Sequence, residues 1–346
     1  MDNILKKEDG LLCAPKSNRK RVCSLDIFRL ICAGMVVAIH SKPLIELGET
    51  SPIYLFINNV LVNIAVPFFF AVSGFYFKDR KFSGLFRSVL IPYCIWSIPW
   101  LFIDVINYVR NGYSIFEICF NILKGFLCFG LEEYLWFVPA LVFSAAITAF
   151  VRCIFKNKYL FVCIALMLIC YFLGLIITTY YAFGSSNFII TKILNITYFY
   201  ELRRIFFIAI PFFLSGFVVN YYIKLNKTSV TIALGVCLLL YIITGIFERE
   251  IIYNLLLLPI PSLFILFFIR YPCYSCSSFA KYARFASALV YYSHYLFIYL
   301  IRMLDRFVLH IGITGSMFFL CGLVIPMILA LIFYKSKYYK YFSKIV

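Results

Sequence analysis

Ten predominantly apolar runs, each near the length that crosses a bilayer, recur along this chain of 346 residues. They fall at about 25–43, 54–77, 86–109, 134–154, 159–178, 203–223, 229–247, 251–269, 286–303 and 313–334. A helix needs about 20 such residues to span the hydrocarbon. Backbone N–H and C=O groups find no water there, so only helices and closed barrels are viable. These runs are too long for barrel strands and lack the alternation that barrels show. The predicted fold class is therefore all-α, a polytopic integral membrane helical bundle of about ten transmembrane helices. Composition agrees. The chain is 64% hydrophobic and 14% charged, against about 45–50% and about 25% in soluble domains.

The first 23 residues are polar and basic, and no small-residue cleavage site follows the first apolar run. That run reads as a retained helix and not as a removed signal peptide. The expected division is a basic tail at 1–23, one membrane domain at 24–335 and a second basic tail at 336–346.

The formal net charge of +17 is unevenly distributed. Of the 32 Lys and Arg residues, 22 lie in the N-terminus, the even-numbered connections and the C-terminus, nine lie on the other side, and Arg29 lies inside the first run. Basic loops stay in the cytoplasm. The chain is thus expected in the cell membrane as a multi-pass protein with both termini cytoplasmic. Its basic excess is matched to membrane lipids and not to nucleic acid. Cys32, Cys94, Cys163, Cys170, Cys237 and Cys321 sit within apolar runs, where Cys acts as a small hydrophobe. Cys273 and Cys276 form a CxxC, but a zinc site needs further ligands and the chain has three histidines, so no metal is expected.

Two longer segments fall on the less basic side, about 110–133 and 179–202. The first alternates Phe116, Ile118, Phe120, Ile122, Leu123 and Phe126 with Glu117, Asn121 and Lys124, a pattern suited to an interfacial amphipathic helix. The second contains the turn signal Gly184-Ser185-Ser186-Asn187.

Ionisable groups inside hydrocarbon are costly and by default functional. Arg29 and His40 lie in the first run, with Asp26 one turn before Arg29. Eleven helical residues advance about 16.5 Å and return to within roughly 20° of the same face. One face thus carries a fixed cation near its start and a titratable base near its end. Snorkelling of Arg29 to the inner headgroups and an interfacial place for His40 is the competing arrangement. The polar set is completed by Asp104 and Asn107 near the end of the third run, Glu132 and Glu133 just before the fourth with Trp136 near its start, Glu201, Arg203 and Arg204 at the sixth, and Ser293-His294 in the ninth. Glu201 and Arg204 stand three apart and are placed to pair, Tyr134 and Trp136 suit an interfacial aromatic belt, and His310 reads as a solvated loop residue.

Arg29-x10-His40 resembles the R-x10-H motif of the acyltransferase 3 family of membrane acyltransferases. Further blocks agree in order. Ala65 to Phe75 (AVPFFFAVSGF) resembles the VPFFF-x-x-SG-F block of its second helix. Leu135-Trp136-Phe137-Val138-Pro139-Ala140-Leu141 resembles its LWFLPAL signature. Arg203-Arg204-Ile205-Phe206-Phe207 through Pro211-Phe212-Phe213-Leu214-Ser215-Gly216 resembles RNG-x-FF followed by FFxLG, with Arg204 in place of the usual Asn. His294 falls where many members carry a late-helix histidine. The similarity covers about 24–335 and is closest to the membrane half of vancomycin-resistance serine racemases.

The resemblance implies an integral-membrane O-acyltransferase. It would move an acyl group, usually acetyl from cytoplasmic acetyl-CoA, to a hydroxyl of an extracytoplasmic glycan or lipid-linked sugar. No permanently bound cofactor is implied, acyl-CoA being the donor substrate. His40 takes the catalytic place, Arg29, Asp26 and Arg203 the acyl-CoA-binding places, and Glu133, Trp136, Arg204 and His294 a pore or acceptor site. A small-solute transporter, for example of serine, is the alternative, since Pro- and Gly-punctuated helices around a polar path suit either. The sequence leaves the oligomeric state open.

Overall fold

A computed structural model describes residues 22–77, 82–182, 203–221, 224–247, 250–273 and 277–345. The turn at 184–187, Glu201 and Cys276 lie outside the described residues, as do residues 1–21 of the basic tail. Twelve helices are defined here within that set. They are α1 (Cys23–Ser41), α2 (Pro52–Phe77), α3 (Phe82–Arg110), α4 (Ile115–Lys124), α5 (Phe137–Phe155), α6 (Tyr159–Ala182) and α7 (Arg204–Val219). There follow α8 (Lys227–Ile246), α9 (Ile251–Arg270), α10 (Ser277–Leu304), α11 (Gly315–Lys335) and the short α12 (Tyr339–Ile345). No strand occurs among the described residues.

Seven segments among the described residues are long and apolar enough to cross a membrane, against about ten expected. The difference has identifiable sources. Tyr134–Ile177 counts once, although it contains α5 and most of α6, joined through the 3₁₀ turn Lys156–Lys158. Arg204–Val219 is a shorter apolar helix. Helix α10 interrupts its apolar run with Tyr291, Tyr292, Ser293, His294 and Tyr295. Large apolar side chains such as Phe102, Phe161, Ile176 and Ile232 point outward. Helices that are apolar on the outside as well as the inside face lipid and not water.

The ends of α1 position the site. Its first turn buries Asp26. Its last turn ends at Ser41 because Lys42 adopts the left-handed conformation (φ 50°) and Pro43 cannot continue the ladder. Helix α1 packs chiefly on α10, which also packs on α11. Leu30 packs against a cluster that holds Phe285 and Leu289, while Val37 shares one with Val290 and Ile298, so α1 and α10 run parallel.

Helix α2 instead packs chiefly on α7. At that crossing a Cβ added to Gly74 would lie 1.8 Å from the Phe213 carbonyl oxygen, and one added to Gly216 would lie 1.7 Å from that of Ala71. Only glycine admits backbones this close, the small-residue contact that membrane helices use in place of a hydrophobic driving force. Asn220 then donates to the Phe75 carbonyl at 3.0 Å and pins the far end of the crossing.

Both helices contain a wide π turn before a proline, Phe56–Leu61 before Pro67 and Arg204–Ala209 before Pro211. A proline cannot donate to the ladder, and local widening is one way a helix absorbs the loss. In α2 the loosened backbone finds partners on other helices. The Tyr253 hydroxyl donates to the Asn59 carbonyl at 2.7 Å, and the Tyr241 hydroxyl donates to that of Val60 at 2.9 Å.

The segment expected to be amphipathic forms α4. It opens on a capping box in which Ser114 and Glu117 exchange hydrogen bonds and hold the Glu117 carboxyl below its usual range. Ile115, Phe116, Phe120 and Leu123 stay exposed on it, as an interfacial helix requires. The C-terminal segment, expected as a plain basic tail, is in part the helix α12. It folds back so that Phe342 stacks on Phe333 at 4.1 Å.

Candidate active site

A cavity of about 740 Å³ runs between α1, α2, α3, α5, α6, α7, α9 and α10. Pockets that enclose organic ligands are commonly about 300–1,000 Å³. Its lining includes Arg29, Ser73, Ser88, Arg284 and Ser287, and also His40, Asn63, Trp136, Arg203, Arg204 and Asn254. The parallel packing of α1 and α10 orders these groups. Arg29 precedes His40 by eleven residues and Arg284 precedes His294 by ten, so each helix separates its Arg from its His by about 15–16.5 Å. The two arginines mark one end of the cavity and His40 the other, with His294 beside His40 and outside the lining.

At the arginine end, Arg29 Nη1 lies 3.4 Å from Asp26 Oδ1, and its guanidinium sits 5.4 Å above the centre of the Tyr76 ring. Asp26 is buried, so its carboxylate holds the guanidinium in one orientation. Arg284 completes this end. Its charge reads in the sequence only as one of the bases that set orientation, and its second role needs the register with α1.

At the other end His40, half-buried in the last turn of α1, faces an aromatic wall. Its ring centre lies 5.3 Å from those of His294 and Tyr295 and 6.4 Å from that of Tyr134. Hydrogen bonds centred on Tyr134 tie the wall together. Trp100 Nε1 donates to the Tyr134 hydroxyl at 2.8 Å, which donates to the Tyr292 carbonyl at 3.0 Å. The Tyr291 hydroxyl donates to the Tyr134 carbonyl at 2.9 Å. Tyr134, read in the sequence as part of an interfacial belt, and Trp100, which the sequence did not single out, are therefore fixed parts of the site.

His294 is fully buried. Its Nδ1 lies 2.9 Å from the carbonyl oxygens of Val290 and Tyr291. Carbonyls only accept, so Nδ1 carries the hydrogen and Nε2 presents a lone pair. Arg204 stacks on Trp136 at 5.6 Å and lies within electrostatic reach of His40.

Arg203, grouped by resemblance with Arg29, opens α7 at the end opposite Asn220. Asn220 contacts Phe75, the neighbour of the Tyr76 beneath Arg29, so the structure brings Arg203 to the His40 end. The backbone of Glu133 begins the 3₁₀ turn Glu133–Trp136, and its side chain lies outside the described residues. His310 is exposed, as a solvated loop residue should be.

Comparison with known proteins gives two curated relatives. An amino-acid racemase of Enterococcus faecalis is 29% identical over 204 residues, 56% of this chain and 27% of the relative. A serine/alanine racemase of Enterococcus gallinarum is 29% identical over 131 residues, 34% of this chain and 18% of the relative. The chain thus covers about a quarter or less of the length of each. No solved structure matches it. Residues 23–335 match the acyltransferase domain family, nearly the whole described bundle. This multi-pass helical membrane protein therefore belongs to the acyltransferase domain family.

Proposed function

We propose that the chain is an integral-membrane O-acyltransferase. It takes an acyl group, acetyl in the simplest case, from cytoplasmic acyl-CoA and passes it to a hydroxyl of an extracytoplasmic glycan or other envelope component. The observation that carries this reading is one cavity lined by Arg29 and Arg284 at one end and by His40 at the other. The separation of about 16.5 Å along α1 is of the order of an extended pantetheine arm. Arg29, oriented by Asp26, is suited to grip CoA phosphates through paired hydrogen bonds. Arg284 adds a second cation there. In the full reading the bundle has ten spans, both termini are cytoplasmic and the arginine end faces inward.

The chemistry assigned to His40 is general-base catalysis. Its free ring nitrogen takes the proton of the acceptor hydroxyl as the oxygen attacks the thioester carbonyl carbon. The C–O bond forms, the C–S bond breaks, and the departing thiolate takes the proton from the His40 imidazolium. An ester, free CoA thiol and neutral His40 remain. Arg203 and Arg204 line the acceptor end, where a cation stabilises developing negative charge.

The transporter alternative gains nothing from relatives whose names describe racemases. Acetyl transfer by purified protein in proteoliposomes tests the proposal. His40→Ala should lower the rate by roughly 10²–10⁴-fold with the fold retained. His40→Gln, polar and of similar reach but no base, should fall as far. A Gln variant within a few-fold of wild type would remove His40 from the base role. Saturable solute flux without acyl-CoA consumption would favour transport.

A further inference from the structure

His294 is a buried titratable ring that the proposed chemistry leaves unused. It is absent from the cavity lining, which takes in Tyr291 and Tyr292 of the same helix but stops short of it. Substrate contact is therefore not its role in this arrangement. Its Nδ1 hydrogen is shared between two carbonyls of its own helix, which fixes the ring and its tautomer. Its Nε2 is buried and accepts no hydrogen bond among the described residues. A buried acceptor left without a donor costs about 1–3 kcal/mol, so such an atom in a fixed ring needs an explanation.

The neighbours narrow the choice of donor. The Tyr134 ring is close, at 5.2 Å between centres, but its hydroxyl hydrogen is committed to the Tyr292 carbonyl. Tyr295 is farther, at 6.4 Å. His40 lies at 5.3 Å with an interplanar angle of 44°. Two imidazoles joined edge to edge through an N–H···N bond of about 3 Å have centres roughly 5 Å apart, so the two rings are already within the spacing that such a bond needs. No hydrogen bond holds His40 among the described residues, and a turn of its ring about χ2 would point a ring N–H toward that lone pair.

We infer that His294 is a positioning residue for His40: its Nε2 accepts the ring N–H of His40 and so keeps the other His40 nitrogen unprotonated toward the cavity. A neutral imidazole has one donor and one acceptor nitrogen, and the bond made by one fixes the other. The inference rests on the assignment of His40 as the base. It adds that α10 selects the base's tautomer. When His40 takes the acceptor's proton, both its nitrogens carry hydrogen, and the bond to Nε2 of His294 persists and stabilises the imidazolium. His294 itself gains and loses no proton.

The chain has three histidines, which makes the test direct. Protein carrying ¹⁵N-labelled histidine in lipid bilayers should show His40 in one neutral tautomer, with the exposed His310 as the averaged reference. In His294→Phe the His40 signal should become a tautomer mixture. There kcat for acetyl transfer should fall by roughly 10–10²-fold with the KM for acetyl-CoA unchanged, the pattern of a base left disoriented. His294→Gln, which restores an acceptor near the Nε2 position, should recover most of the rate.

An averaged tautomer for His40 in the wild-type protein would overturn the inference, and that spectrum decides even if the Phe variant fails to fold. A locked His40 that stays locked in His294→Phe would overturn it as well. A locked pair in a protein that transfers no acetyl would support the pairing while removing the acyltransfer reading, so the two failures are distinguishable.

Discussion

At the scale of single residues, the groups that hydrocarbon makes expensive were the ones the sequence exposed. Arg29 and His40 stand out in an apolar run because a charge or a titratable ring there needs a reason. The structure puts both on one cavity and seats Arg29 against Asp26 at 3.4 Å. Arg284 was not legible as a site residue. A cation near the basic end of a span looks like every other topology signal until the parallel packing of α1 and α10 sets it level with Arg29. The same holds for Tyr134, whose hydroxyl network with Trp100 joins residues 34 apart in the chain. Lysine offers one point charge where arginine offers a planar fork, so Arg29→Lys should raise the KM for acyl-CoA by roughly ten- to a hundredfold at near-normal expression. Arg284→Ala should raise KM while leaving kcat nearly unchanged, the mark of uniform binding. Steady-state kinetics against acetyl-CoA check both. An unchanged KM in Arg29→Lys would return Arg29 to the headgroups.

At the scale of elements, helix existence was plain from run length, while the ends at Ser41 and Ser114 came from the structure. Nor were the partners of each helix plain. The Ser73-Gly74 and Ser215-Gly216 pairs are visible as small residues, yet nothing local states that each faces the other. The π turns are equally hidden, because a widened turn has no compositional mark beyond a proline several residues on. One connection gives a pH prediction. Glu46, in the loop after α1, accepts from the Ser316 amide at 2.8 Å and from the Ser316 hydroxyl at 3.0 Å, tying that loop to the start of α11. The Ser316 amide is the largest cause that brings its carboxyl down from 4.5 to about 2. A carboxyl whose folded value is depressed contributes stability that is complete above the unfolded value and fades as pH falls toward the folded one. Between pH 5 and pH 3 the wild type should thus lose more melting temperature than Glu46→Gln, which has no charge to titrate. Equal losses in thermal unfolding of the two detergent-solubilised proteins would show that the tie carries no weight.

At the scale of the whole molecule, charge distribution gave an orientation and hydropathy gave a span count, and the two are tested together. A cytoplasmic reporter fused after Val346 should be active, and an external reporter in the 184–187 turn should be active too, as an even number of spans with inner termini requires. The reversed pattern would turn the arginine end outward and strand it from cytoplasmic acyl-CoA. The count was blurred where function intrudes, since α10 gives up apolar residues to carry the aromatic and histidine wall. That helix also sets a timetable. His40 and His294 sit side by side in space but roughly 250 residues apart in the chain. Ribosomes add about 5–20 residues per second. For an interval on the order of tens of seconds, the first helix must wait in the lipid with His40 already inserted and its neighbour on α10 not yet made. During that wait the insertion machinery or a chaperone has to shelter it, and a nascent chain arrested before α10 should be degraded rather than retained as a stable half-protein.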